Sequence, residues 1–503
     1  MIEKTGFIMI INDIKRLAKN SLGFAIGTIL TQAIGFFLLP IYTRYLTPAD
    51  YGILSIASVV SSVLVIFLIF GQGGAIGRFY YDYHHDSTKL RDYLSTICLS
   101  VCLISFAICV ILCLLGDSFF SIVLSDIPFN PYLILVIWSA FLGVPLNFAL
   151  ILLQVRERAH TYSVINVAKF LISTILIIFF VVMQREGALG SLKGQFVCSI
   201  IFFFVALSYL KKDITIKFDR NKFKESFYFG LPLIPHMLAG WITSLIDRLF
   251  LSWYWNLSIV GLYSLGYQIG SILSLITTAI NFAWVPFFLS KATDEGEKAK
   301  HTFSILTTYY MALIGFIGVG IALFAKDVIH LMTVPAYYEA SQVVPFIVLA
   351  FVLNGMYYMV VNQIFLLKKT KYLAITTFLG ALINIGLNFL LIPEYGMIGA
   401  AAATAMTYLF TFIGVFLLSN RLFPIKYEYL RISKILFVGI SVYAISLFLP
   451  EYDILCDIAL RCLVILVYPT GLLLIHVFTD EEITQGKIYT GEIMRGRFKK
   501  KNV

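Results

Sequence analysis

Apolar residues run along this chain in long, unbroken stretches separated by short polar gaps. The stretches lie near 21–42, 51–70, 93–115, 132–153, 162–183, 189–210, 227–251, 259–288, 303–324, 342–366, 373–392, 397–418, 433–449 and 456–476. A helix needs roughly 20 such residues to cross a hydrocarbon core. Backbone groups in lipid must be satisfied internally, which restricts spanning structures to helices and closed barrels. Barrel strands would alternate in character over about ten residues, whereas these runs are continuous and longer. The pattern predicts an all-α, polytopic membrane protein of about fourteen transmembrane helices.

The polar gaps carry an orientation signal. With the N-terminus in the cytoplasm, the cytoplasmic segments hold 31 of the 38 Lys and Arg residues. The outer segments then hold only Arg44, Arg185, Lys193 and Lys326. Lys169, Arg248 and Arg461 fall within spans. This asymmetry predicts cytoplasmic termini at both ends, by the excess of basic residues that cytoplasmic loops carry. Residues 1–20 read as an amphipathic cytoplasmic tail lying in the interface and not as a cleaved signal. The tail 478–503 ends Arg495-Gly-Arg-Phe-Lys-Lys-Lys501, suited either to anionic headgroups or to plain anchoring.

Composition agrees with a bilayer as solvent. The chain of 503 residues is 59% hydrophobic and 13% charged, about half the charge of a soluble domain. The net charge of +10 could suggest nucleic acid. The basic residues sit in inter-span gaps, however, so no nucleic-acid partner is expected. Cys98, Cys102, Cys109 and Cys113 form a helical stripe. No His or carboxylate joins them, and they read as small packing residues; no metal and no cofactor is expected.

The chain also matches itself at one offset. Gly52-Ile-Leu-Ser55 falls on Gly261-Leu-Tyr-Ser264 at a shift of 209, and Gly187-Ala-Leu-Gly190 falls on Gly396-Met-Ile-Gly399 at the same shift. Ala140-Phe141 and Tyr162 match Ala350-Phe351 and Tyr372 one residue further on. Six spans separate the copies, so the repeats run parallel, an arrangement used by transporters that rock two halves around a site between them. The expected organisation is a first six-helix bundle at 21–210, a basic linker or hinge at 211–224, a second bundle at 225–419, and two further helices at 420–477.

Three stretches carry a family resemblance: Leu38-Leu-Pro-Ile-Tyr-Thr-Arg-Tyr-Leu-Thr-Pro-Ala-Asp-Tyr-Gly52, Gly230-Leu-Pro-Leu-Ile-Pro235, and Ile246-Asp-Arg-Leu-Phe-Leu251 followed by Val260-Gly-Leu-Tyr-Ser264. Together with the six-plus-six-plus-two plan, the chain resembles the polysaccharide synthesis and transport family, the Wzx-type O-antigen flippases of the MOP exporter superfamily. The resemblance implies a MATE-like fold in the cell inner membrane. It implies a lipid-linked oligosaccharide substrate on undecaprenyl diphosphate, destined for O-antigen, lipopolysaccharide or capsule. It also implies a central cationic cavity lined by spans one, two, seven and eight.

A diphosphate crossing hydrocarbon needs fixed cations, because an unpaired charge there is costly. Arginine is well suited, being always charged and able to bind phosphate bidentately. The cavity candidates are Arg44, Arg78, Lys169, His236, Gln32 and Asn281. Arg44 either faces the cavity or snorkels to headgroups. Arg78 either faces the cavity or anchors the inner side. Lys169 sits mid-span, where snorkelling is strained. His236 is either a proton-linked switch or a packing residue. Asp247 and Arg248 read as a gate or structural ion pair. Asn384 and Asn388 share a helix face and suit hydrogen bonding between helices. Pro40, Pro232, Pro235 and Pro286 would bend spans one, seven and eight.

No phosphate-binding loop of the Gly-x-x-x-x-Gly-Lys-Ser/Thr type is present, and the outer loops are too short to form a catalytic domain. The expectation is a non-enzymatic transporter, monomeric, working by alternating access, with a polysaccharide polymerase and chain-length machinery as further partners. The alternatives within the superfamily are a multidrug antiporter and a lipid II flippase; a membrane glycosyltransferase or polymerase fits less well.

Overall fold

The computed structural model describes residues 36, 38–450, 454–482 and 484. The amphipathic tail at 1–20, Gln32, most of the first span and most of the basic C-terminal tail lie outside the described residues. Every described element is helical. The end of span one is α1 (Leu39–Tyr45), and span two is α2 (Pro48–Ile69) with α3 (Gln72–Tyr83). Spans three to six are α4 (Ser87–Val123), α5 (Ile134–Val155), α6 (Ala159–Ile178) and α7 (Gly187–Leu210). Span seven is broken into α8 (Arg220–Gly230), α9 (Leu233–Leu245) and α10 (Asp247–Tyr254), and span eight is α11 (Leu257–Gly270) with α12 (Ile272–Glu295). There follow α13 (Ala299–Met332), α14 (Val344–Leu366), α15 (Lys371–Leu422), α16 (Tyr429–Leu447) and α17 (Ile454–Leu474).

Among the described residues, ten continuous helical stretches are long and apolar enough to cross a membrane, or eleven when the bent pair in span seven is taken as one span. Two of them are hairpins. In the 76-residue stretch Leu257–Met332, α12 and α13 turn back and pack on each other. In α15, Asn384 Nδ2 donates to Thr407 Oγ1 at 3.1 Å across 23 residues of sequence. A straight helix would hold those positions about 35 Å apart. The reversal sits at Gly396, whose φ of 54° lies in the left-handed region that favours glycine, just after Pro393.

The internal repeat is expressed in backbone geometry. Gly187 and Gly396, 209 apart, have φ of 56° and 54°. Thr47 and Asn256, also 209 apart, each cap a helix: Thr47 Oγ1 accepts from Asp50 N and Asn256 Oδ1 from Ile259 N. Such caps satisfy amides that a helix start leaves open. At the C-termini of a second corresponding pair of helices, α5 and α14, the match continues: Glu157 N donates to Gln154 O and Arg158 N to Leu153 O. The same pair of bonds recurs from Lys368 to Phe365 and from Lys369 to Ile364. Glu157 and Lys368 share a positive φ, so both helices end in one type of C-terminal turn.

Polar anchors concentrate at the end of the molecule that carries the basic connections. The segment 211–219 is tied down along its length. Arg156 grips Asp213 through both carboxylate oxygens at 2.9 and 2.6 Å. Thr215 N donates to Ser95 Oγ at 2.7 Å, Lys217 pairs with Asp92 at 3.0 Å, and Asp219 N donates to Thr96 Oγ1. Next, α8 packs on α3 and α4. There Ser226 Oγ donates to the buried Gln72 Oε1 at 2.6 Å and lies 3.0 Å from Tyr93 Oη. The first segment of span seven is thereby fixed to the first bundle. The helix is interrupted at Leu231–Pro232 and bends by 51° between α9 and α10. The C-terminal helix pair is joined to the second bundle through Arg461, which pairs with Asp327 of α13, and through Tyr468 Oη donating to Ala312 O.

Candidate functional site

The two repeats meet where α2 crosses α11. Small residues let their backbones touch, as close helix crossings in membranes require. A Cβ on Gly52 would overlap the carbonyl oxygen of Leu257, and one on Gly261 would overlap that of Pro48. Pro48 and Leu257 are themselves 209 apart, so each repeat makes the same contact on the other. This is a self-complementary interface of the kind a two-fold axis produces. One turn further in, Ser55 Oγ and Ser264 Oγ, again 209 apart, hydrogen-bond at 2.6 Å. Beside them Tyr51 Oη donates to Gln268 Oε1 at 2.6 Å. More contacts close the same end: Tyr337 Oη to Leu46 O at 2.9 Å and Thr43 Oγ1 to Met332 O at 3.4 Å. Deeper along the seam, Trp241 Nε1 of α9 donates to Ser62 Oγ at 3.0 Å. The basic-end half of span eight, α12, packs on α13 and α14 of its own repeat.

A cavity of about 340 Å³ opens beneath this seam. First-repeat residues such as Tyr42, Ser58, Phe170, Ser191 and Gln195 form most of its wall, and Leu245, Arg248, Ser264 and Gln268 close it from the second. Its walls therefore come from spans one, two, five and six together with seven and eight.

Arg248 is the one charged lining residue among those described. It stands just past the bend in span seven, 6% exposed. Its Nη1 donates to Asp247 Oδ1 at 2.7 Å and to Ser244 O at 2.8 Å. Its backbone amide also bonds Asp247 Oδ1, at 2.9 Å. The guanidinium lies over the Tyr267 ring at 4.4 Å, within cation–π range. Asp247 is 2% exposed, and its other carboxylate oxygen accepts from Tyr263 Oη. A buried ion pair persists only when partners satisfy both ions in this way. The structure thus makes Asp247 and Arg248 an ion pair and sets it on the cavity wall.

The other described sequence candidates are not among the residues that line this cavity. Arg44 is exposed in the last turn of α1, outside the cavity lining. Arg78 is exposed on α3 and pairs with Asp82 at 2.6 Å, one turn away. Lys169 is half-buried beside the lining residue Phe170, and Cys198 Sγ of α7 approaches its carbonyl oxygen at 3.5 Å. His236 is exposed on α9. Asn281 is half-buried in α12, with its Oδ1 lacking a hydrogen-bond partner among the described residues. Asn384 and Asn388 bond each other and Thr407 within the α15 hairpin.

The uncharged lining residues Tyr42, Ser58, Ser191 and Gln195 are not among the sequence candidates for the cavity, whose uncharged members are Gln32, outside the described residues, and Asn281. One signal for the lining was present: the repeat match ending on Ser55 and Ser264 marks the two hydroxyls that meet on the seam.

Comparison with known proteins places this geometry in a family. A membrane protein of Haemophilus influenzae is 27% identical over 78% of this chain and 97% of its own length. The "Capsular polysaccharide biosynthesis protein CapF" of Staphylococcus aureus is 22% identical, covering 81% of this chain and all of its own. The "Probable low-salt glycan biosynthesis flippase Agl15" of Haloferax volcanii is 22% identical over 78% of this chain and 81% of its own. Among solved structures, a lipid II flippase MurJ in an inward closed conformation superposes with a TM-score of 0.70 at 18% identity, covering 89% of this chain and 98% of that one. An inward-facing multidrug MATE transporter of the MOP superfamily gives 0.62 at 15% identity, over 81% and 98%. These likenesses establish a MurJ/MATE-like fold and a multi-pass membrane protein. The family described as "Polysaccharide biosynthesis protein" matches residues 17–291, more than half of the chain, and the chain belongs to that family.

Proposed function

We propose that this protein is a flippase that moves a polyprenyl-diphosphate-linked oligosaccharide from the inner to the outer leaflet of the cytoplasmic membrane by alternating access. The observation that carries the reading is the seam cavity. It lies between two repeats that touch glycine to backbone on one side, while on the other side α12 packs within its own repeat. Family membership and the glycan-related names of two relatives point the same way.

In this reading the chain has fourteen spans with both termini in the cytoplasm, and the basic end faces inward. The closed seam then faces outward, and substrate enters from the inner leaflet. The lipid tail stays in the bilayer while the head group passes between the repeats. Arg78, which can exchange Asp82 for phosphate, and Lys169 are the proposed diphosphate contacts; Arg44 serves the outer headgroup level. Asp247 and Arg248 hold span seven at its bend. An inside-negative potential favours outward movement of the anion by roughly 2.3 kcal/mol per charge per 100 mV.

Deletion of the gene tests the proposal. The expected result is loss of surface polysaccharide with lipid-linked oligosaccharide accumulating in the inner leaflet, reversed by the intact gene. Normal surface polysaccharide with new sensitivity to cationic drugs would replace it with the multidrug antiporter. Arrested cell-wall synthesis would replace it with the lipid II flippase.

A further inference from the structure

Resting on the flippase reading, we infer that the seam cavity seats uncharged sugar rings and that the diphosphate stays outside it. Three observations carry this. The first is charge. Arg248 is the only charged residue in the described lining, and Asp247 neutralises it at 2.7 Å. The sequence from Asn20 to Thr43, which completes span one, holds no charged residue. A diphosphate entering here would lose its water without meeting a net positive charge, an unfavourable exchange for a multiply charged ion.

The second is hydrogen-bonding capacity. Among the described residues, the side-chain polar groups of Tyr42, Ser58, Ser191 and Gln195 make no hydrogen bond, although all four line the cavity. Facing the cavity, these groups are free to bond a molecule that enters it. Hydroxyls and primary amides both donate and accept, as sugar hydroxyls do, whereas phosphate oxygens chiefly accept. The open set matches a sugar and would leave half its capacity unused against phosphate.

The third is size. The 340 Å³ available is at the small end of the roughly 300–1,000 Å³ typical of ligand sites. It suits one or two sugar rings and excludes a polyprenyl chain. The head group would thus be divided: the sugar in the neutral cavity, and the diphosphate nearer Arg78 and Lys169.

The test is a comparison of sign in the full-length protein expressed in cells lacking the gene. Gln195 is exposed to the cavity, so Gln195→Glu and Gln195→Lys alter charge with little change in packing. Both are expected to cut surface polysaccharide by about tenfold, within roughly threefold of each other, because either ion displaces a neutral hydrogen-bonding group. Full export by Gln195→Lys with loss in Gln195→Glu would overturn the inference and place the diphosphate in the cavity; full export by both would overturn it by removing Gln195 from the sugar's contacts. Where either variant accumulates poorly in membranes, Tyr42→Phe is read instead. Loss of about fivefold or more supports the inference, and wild-type export overturns it. Failure of the intact gene to restore export at all would sink the flippase reading itself, independently of the sign comparison.

Discussion

Gly261→Ala should open the closed end of the seam. The new methyl group would overlap the carbonyl oxygen of Pro48 and sit 3.0 Å from Gly52 N. Both are backbone atoms of a capped helix and cannot rotate away as a flexible side chain would. Overpacking of this kind costs about 1–3 kcal/mol. Only the state in which α2 and α11 touch bears the cost. Since 1.4 kcal/mol is a factor of ten, that state should lose roughly 5- to 150-fold in population relative to one in which the seam has parted. Because Gly52 makes the mirror contact with Leu257, Gly52→Ala should act in the same direction and to a similar extent. Cross-linking reads the effect directly. Ser55 and Ser264, whose hydroxyls are 2.6 Å apart, are replaced by cysteine in a background free of the seven native cysteines, and disulfide formation is timed under mild oxidation. The rate should fall markedly in both alanine variants. Unchanged cross-linking in both would refute the close approach, and a change in one alone would refute the two-fold relation of the repeats.

Further outcomes follow from the same geometry. Asp247→Ala leaves Arg248 buried without its counter-charge and should lower stability by about 3–5 kcal/mol, seen as a depressed thermal midpoint of the purified protein. Arg461→Ala strands Asp327, 9% exposed, and should likewise destabilise the packing of α17 on α13, detected as early proteolysis of the C-terminal helices. Arg78→Ala breaks a pair whose side chains are 56% and 41% exposed and should change stability by less than about 1 kcal/mol; its effect, measured as export per folded molecule, falls on transport. Gly396→Ala imposes a side chain at φ 54° against the Trp255 ring, 3.2 Å from the added carbon. It should reduce membrane accumulation more than Gly386→Ala, which meets nothing within 4 Å.

What the sequence made legible was set by period and register. Fixed span length and the need to satisfy backbone groups in lipid fix helix positions, and the spanning helices lie where the apolar runs place them, whereas α3 and the start of α8 extend helix into polar gaps. The repeat was legible because close backbone contact tolerates only glycine, leaving Gly52 and Gly261 as matching marks. Partnership was not legible. Asp247 and Tyr263 are 16 residues apart, Gln72 and Ser226 are 154 apart, and Asp327 and Arg461 are 134 apart. Such pairs depend on helix rotation and crossing, which hydropathy leaves free. Arg78 pairs with Asp82 four residues on along its own helix, a spacing the sequence does display; the exposure of that pair depends on helix rotation and is not displayed. The serines, tyrosines and glutamines of the cavity are ordinary in composition and become a site only where the repeats converge.

Reconstitution tests the central claim most directly. The purified protein is placed in sealed vesicles carrying a polyprenyl-diphosphate oligosaccharide in both leaflets, and an added glycosidase removes the sugars it can reach. The account predicts that cleavage proceeds past the fraction reached in protein-free vesicles, and that it stops at that fraction when oxidised Ser55→Cys/Ser264→Cys locks the seam. Cleavage that halts at the protein-free fraction with the unlocked protein would contradict it.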